Sequence, residues 1–74
     1  MPPVPSVPAT KVIRALQKVG WSLVRVSGSH HIVGHSDGRV VSVPVHGSKD
    51  MAKGTLRGIL TTIGMTVDEF VKLL

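Results

Sequence analysis

Imidazole is the side chain best suited to bind a transition metal or to transfer a proton near neutral pH, and this sequence carries four histidines. His31 and His35 have a spacing that would suit a metal on a helix, but on a strand it separates them by about 13 Å at ~3.3 Å per residue. The neighbouring His30 and His31 point to opposite faces of a strand. Because the chain also lacks cysteine, we predict no metal site and no cofactor.

The Asp37-Gly38 pair predicts how the strand histidines are oriented. Asp-Gly between two apolar runs is typical of a two-residue hairpin turn. Counting outward from such a turn pairs Ile32 with Val43 and His30 with Val45. This register places all four side chains on the sheet face that the helices cover.

His30 then lies at the open end of the hairpin, where one edge of its ring is accessible to solvent. An imidazole in that position can act as a general acid or base, and His46 lies diagonally across from it as a second candidate. His31 and His35 fall on the opposite face and are predicted to contact solvent. The spacing alone favours a structural histidine at position 30, one that hydrogen-bonds a backbone carbonyl.

Basic and small residues crowd the start of the second long helix: Lys49, Lys53, Gly54, Thr55 and Arg57. Backbone N–H groups and the helix dipole attract anions at such a position, and Thr55 can cap the helix there. The loop into this helix leaves from His46, so we expect an anion site near the His30 end of the hairpin. An ordinary helix start with a solvated basic face explains the same residues.

Hydrophobic periodicity predicts an α+β fold with the order α-β-β-β-α and a short extra C-terminal helix. Thr10 is the expected first N-cap, and Thr66 and Glu69 form a capping box. The helices are expected on one face of a three-stranded antiparallel sheet, as in double-stranded-RNA-binding domains. The predicted elements are helix 11–19, strands 21–26, 30–35 and 40–45, helix 52–63 (or 55–63), and a last helix from 66.

Residues 1–9 contain four prolines, which are incompatible with helices and with sheet ladders. We predict an extended arm there, disordered or lying on the surface, and one domain over residues 10–74. The sequence shows neither a signal peptide nor an apolar run long enough to cross a membrane. The expected location is therefore the cytoplasm.

Nine lysines and arginines against four acidic residues give a net charge of +5. Such a charge on a small domain favours a polyanion, either nucleic acid or an acidic protein surface. A non-catalytic RNA-binding module and a protein-interaction subunit both fit this charge.

An ordered set of short motifs resembles the HicA family of bacterial mRNA interferase toxins. Trp21 stands where the family usually has phenylalanine. The matching positions are Val12 to Leu16, Gly20-Trp21, Arg25, Gly28-Ser29-His30-His31-Ile32, Asp37-Gly38, Val43-Pro44-Val45-His46, and Lys53-Gly54-Thr55-Leu56-Arg57 with Ile59-Leu60.

The resemblance implies a toxin of a type II toxin–antitoxin system, a metal-independent endoribonuclease that cleaves mRNA and arrests translation. Its implied partners are single-stranded RNA or mRNA and a HicB-type antitoxin. The family's essential histidine corresponds to His30, with His46 as a possible second acid or base. The expected RNA-binding residues are Gly28, Ser29, Lys53, Gly54, Thr55 and Arg57.

Overall fold

The computed structural model describes residues 3–74. A three-stranded antiparallel sheet with the strand order β1-β2-β3 packs against helices. The predicted α+β class, the α-β-β-β-α order and the additional short C-terminal helix are all confirmed. The elements are α1 (Ala9–Gln17), β1 (Trp21–Ser27), β2 (His30–His35), β3 (Val40–Pro44), α2 (Lys53–Ile63) and α3 (Val67–Val71).

The first helix begins earlier than predicted, and Thr10 is not its N-cap. Pro8 occupies the N-cap position with no side-chain hydrogen bond, and its carbonyl accepts the N–H groups of Lys11 and Val12. Pro8 also forms a β-bridge with Asp50. This tertiary contact holds Pro8 in an extended conformation, so the helix starts directly after it.

The chain before α1 packs against the domain from Val4 onward. Val4 is 3% exposed and belongs to the hydrophobic core, and Val7 packs against that core. The Val7 carbonyl accepts a hydrogen bond of 2.8 Å from the Met51 N–H. Met1 and Pro2, which the sequence assigned to the same proline-rich arm, lie outside the described residues.

The hairpin loop closed by the backbone hydrogen bond between His35 and Arg39 has three residues, 36–38, and the predicted two-residue turn is wrong. The His35 N–H donates to the Arg39 carbonyl, and the Gly38 N–H donates to the His35 carbonyl, both at 2.9 Å. Gly38 has a φ of 96°, which glycine adopts without steric cost. A turn followed by one left-handed residue is the usual form of a three-residue hairpin loop.

The extra loop residue shifts the register by one position. His30 lies opposite Pro44, His31 opposite Val43, and Val33 opposite Val41. Because side chains alternate along a strand, a shift of one residue exchanges the two faces of β2. The predicted pairs Ile32–Val43 and His30–Val45 are therefore wrong.

The two sheet faces differ in what covers them. The inner face, against the helices, carries Val33, Val41 and Val43, which are at most 9% exposed. His31 and His35 share that face, contrary to the prediction that they face solvent. The outer face carries His30 and other side chains that the helices do not cover; the full set given by the register is Ser22, Arg25, Ser27, His30, Ile32, Gly34, Val40, Ser42 and Pro44.

The core is entirely apolar within residues 3–74, where no polar or charged side chain is buried. The predicted apolar stripe of α2 is confirmed, and so is the capping box of α3 between Thr66 and Glu69. Val19, predicted on the stripe of the first helix, is 41% exposed. The largest fully buried side chains are Phe70, Leu16, Leu56, Val12, Val33 and Val43.

A cluster around Trp21 ties the hairpin to both long helices. Trp21 is 3% exposed and meets the His35 ring edge-on at 5.2 Å, while the Arg39 guanidinium lies 5.2 Å from its ring centre. Arg39 also donates to the carbonyl of Ile63, the last residue of α2. His35 Nε2 lies 3.2 Å from the carbonyl of Val19. The hairpin end is thereby fixed to the C-terminal ends of α1 and α2.

We predict that Gly20→Ala destabilises the protein more than Gly47→Ala. Both glycines have positive φ, which costs a residue with a side chain about 1–2 kcal/mol. A Cβ at Gly20 would also lie 2.9 Å from His35 Nε2, whereas a Cβ at Gly47 would meet nothing within 4 Å. Urea unfolding should show a loss of about 1 kcal/mol for Gly47→Ala and at least about 2 kcal/mol for Gly20→Ala. Equal losses would contradict the proposed contact with His35.

A second prediction concerns acid stability. The backbone N–H of Arg39, and then its guanidinium, hold the pKa of Asp37 below its ordinary value. A lowered folded-state pKa stabilises the fold above the ordinary aspartate pKa of about 3.9, and this contribution disappears as the pH falls through the folded value. Wild type should therefore exceed Asp37→Asn in stability at pH 6, and the difference should shrink as the pH falls below the ordinary aspartate pKa and vanish only below the lowered folded-state pKa. A difference that is independent of pH between 6 and 3, in parallel urea titrations, would contradict this account.

Candidate functional site

His30 is the first residue of β2 and follows the Gly28-Ser29 turn. Gly28 has a φ of 59°, so the chain reverses within two residues and Ser27 lies opposite His30. The His30 side chain is exposed on the outer face. The sequence placed it at the margin of the inner face, and the one-residue shift in register corrects that prediction.

His46 lies beyond the end of β3, beside the same turn. The Val45 N–H donates to the Ser29 carbonyl at 2.7 Å, which draws the chain before His46 alongside the Gly28-Ser29 turn. Pro44, the cross-strand neighbour of His30, and His46 both line one shallow cavity of about 170 Å³. Its other lining residues are Ala9, Lys49, Asp50, Met51, Ala52 and Thr55.

The start of α2 forms one wall of this cavity. Ala52 is the N-cap and makes no side-chain hydrogen bond, and the first turn contains no acidic residue. Thr55 lies inside the first turn, so the expectation that it caps the helix is wrong. The backbone N–H groups at the helix start, with Lys53 beside them, can bind an anion.

The predicted RNA-binding residues of α2 are divided between two sides of the helix. Thr55 lines the cavity shared with His46. Arg57 lines a different cavity of about 480 Å³, together with Leu60 and Met65. The structure therefore brings Thr55 near the His46 end of the hairpin and places Arg57 elsewhere.

The charges around the cavity are mostly unpaired. Within residues 3–74 Asp37 forms an ion pair with Arg39, and Lys49 and Lys53 have no carboxylate partner. Asp50 lines the cavity and offsets part of the positive charge. The remaining field favours an anion between the helix start and the end of β3.

The environment of His31 differs from the solvent contact predicted from the sequence. His31 lies opposite Val26 and Val43 on the inner face, and its buried Nδ1 has no hydrogen-bond partner among residues 3–74. His35 is held through its ring nitrogens by Val19 and the Asp37 N–H. A three-residue loop at Asp37-Gly38, had it been predicted, would have given the correct register and placed His31 and His35 on the inner face. Of the three histidines in β2, His30 alone is exposed.

The described residues hold no group of three or more His, Cys, Asp or Glu side chains that could bind a metal ion. Among the helices of residues 3–74, none has the length and apolar character required to cross a membrane.

Comparison with known proteins identifies the family. Residues 9–65 match the family described as HicA toxin of bacterial toxin-antitoxin, and the matched region contains the whole sheet, α1 and α2. No curated protein matches the chain. Since the match spans most of the chain, from the first residue of α1 to the second residue after α2, this protein belongs to the HicA family of bacterial toxins, the toxin components of toxin–antitoxin systems.

Proposed function

We propose that this protein is a metal-independent endoribonuclease that cleaves mRNA and arrests translation, and that a HicB-type antitoxin neutralises it in the cytoplasm. The observation that carries the proposal is the exposed His30 on the uncovered face of a toxin-family domain. Open access matters because the general base must reach the proton that it removes. His31 and His35 lie on the inner face, where both are partly buried, and the ring nitrogens of His35 are already engaged by Val19 and the Asp37 N–H.

The proposed reaction uses the ribose of the substrate as the nucleophile. His30 removes the proton from a 2′-OH, and the 2′ oxygen attacks the adjacent phosphorus. The bond to the 5′ oxygen of the next nucleotide breaks, which gives a 2′,3′-cyclic phosphate and a 5′-OH. Because DNA lacks the 2′-OH, the substrate must be RNA, and the exposed position of His30 suits an unpaired strand.

The second proton transfer is assigned to His46. The departing 5′ oxygen needs a proton, and His46 lies beside the turn that precedes His30. The N–H groups at the start of α2 and Lys53 stabilise the charge that develops on the phosphate. Gly28 and Ser29 contribute the turn along which the substrate backbone passes.

We predict that His30→Ala loses at least about 100-fold in the rate of RNA cleavage, the usual contribution of a general base. Binding to RNA should persist, because the unpaired lysines near the start of α2 are unchanged. Single-turnover cleavage of a labelled oligoribonucleotide and a gel shift measure the two quantities separately. Circular dichroism of the variant controls for folding.

Cleavage of RNA by His30→Ala at the wild-type rate would refute the assignment of His30 as the general base. A wild-type chain that shifts RNA in a gel but leaves its length unchanged would instead identify a non-catalytic RNA-binding module.

We also predict that His46→Ala slows cleavage of RNA but not of a substrate with a good leaving group. A uridine 3′-(4-nitrophenyl phosphate) releases nitrophenolate, which needs no proton from the enzyme. His46→Ala should therefore act on this substrate within about twofold of wild type, and on RNA at least about 10-fold more slowly. His30→Ala should be slow on both. Equal losses of His46→Ala on the two substrates would contradict its role as the acid.

A further inference from the structure

Strand β1 contains a β-bulge at Val24. Leu23 lies opposite Val33 on the inner face, and Arg25 lies opposite Ile32 on the outer face, so the register shifts between Leu23 and Arg25. In a regular strand two residues separated by one position share a face. Without the bulge, Arg25 would point towards the helices with Leu23.

Val24 shares the outer face with Arg25. Its Cγ2 lies 3.0 Å from the position that a Cβ on Gly34 would occupy, and Gly34 belongs to the outer face. The bulge thus places two successive side chains on one face, and the absence of a side chain at Gly34 leaves room for Val24. Bulges commonly redirect a side chain in this way beside functional sites.

The redirected Arg25 lies diagonally next to His30. Ser27 is directly opposite His30, and Arg25 is two residues before Ser27 on the same face. Diagonal neighbours have Cα atoms about 7–8 Å apart, a distance that long side chains span. The guanidinium of Arg25 and the imidazole of His30 can therefore contact one small group between them.

The Arg25 guanidinium is unpaired within the described part of the chain. Arg25 is exposed, and no ion pair or side-chain hydrogen bond of residues 3–74 involves it. The residues that the register places on the outer face include no carboxylate. A guanidinium that is free, uncompensated and next to an exposed imidazole fits a phosphate, whose paired oxygens match its two parallel N–H donors.

We propose that Arg25 binds the non-bridging oxygens of the phosphate that His30 acts on, so that the outer sheet face carries the scissile phosphate of the RNA. This inference rests on the proposed ribonuclease function. Arg25 holds the phosphate in reach of His30 and stabilises the charge on its oxygens as the 2′ oxygen attacks.

The test compares Arg25→Ala and Arg25→Lys with Arg14→Ala. Arg14 is exposed on α1, in the helical layer on the other side of the sheet, so its variant removes the same charge away from the outer face. Single-turnover cleavage of an oligoribonucleotide gives the chemical rate and the apparent affinity. We expect Arg25→Ala to lower the rate at saturating RNA at least about 30-fold, Arg25→Lys to recover part of it, and Arg14→Ala to remain within about twofold.

Binding to a 2′-O-methyl oligoribonucleotide, which cannot be cleaved, provides a second measurement. The plot of log affinity against log salt concentration has a negative slope. For Arg25→Ala the magnitude of this slope should decrease by about one, as expected for one lost phosphate contact. An unchanged slope with an unchanged cleavage rate would overturn the inference. So would equal effects of Arg14→Ala and Arg25→Ala, since these would indicate only general attraction of RNA by positive charge.

The same experiments separate this inference from the function on which it rests. If wild type cleaves, His30→Ala does not, and Arg25→Ala cleaves normally, only the role of Arg25 fails. If His30→Ala cleaves at the wild-type rate, or wild type does not cleave, the proposed mechanism fails and the role of Arg25 fails with it.

Discussion

The backbone conformation of Gly38 decides which residues of this domain lie in its core and which lie on its open face. Its φ of 96° closes a three-residue loop, and the loop sets the pairing of β3 with β2. Every side chain of β2 then has a fixed face, because alternation allows no intermediate arrangement. Val33 enters the core and His30 stays outside it as two consequences of one turn.

The loop acts through the cluster that it brings together at Trp21. Asp37 accepts from both the backbone N–H and the guanidinium of Arg39, which orients Arg39 over the indole and towards the last carbonyl of α2. His35 completes the contact to the end of α1. The opposite end of the hairpin carries His30, and the described residues form no such cluster there. The sheet is therefore fixed at one end and presents its candidate chemistry at the other.

Much of the fold could be predicted from the sequence, because periodicity and caps are local signals. The α2 stripe and the Thr66 capping box are examples. The register could not be predicted, since Asp-Gly is compatible with loops of two and three residues and only the packing of Val33 against the helices selects between them. The start of α1 depends on the Pro8 bridge to Asp50, a contact distant in sequence. His30 was predicted to be partly exposed at the margin of the inner face, whereas it lies on the outer face. The bulge at Val24 has no recognisable sequence signal.

The alternation along β2 also has an evolutionary consequence. His30 and His31 are encoded by adjacent codons, yet one faces the open side of the sheet and the other packs between Val26 and Val43. If His30 is the general base proposed above, selection for catalysis and selection for folding act on neighbouring positions independently. A lineage that lost its activity by drift at position 30 would retain a stable domain. Homologues with an intact inner face and an altered outer face would then record lost toxicity, while their fold persisted.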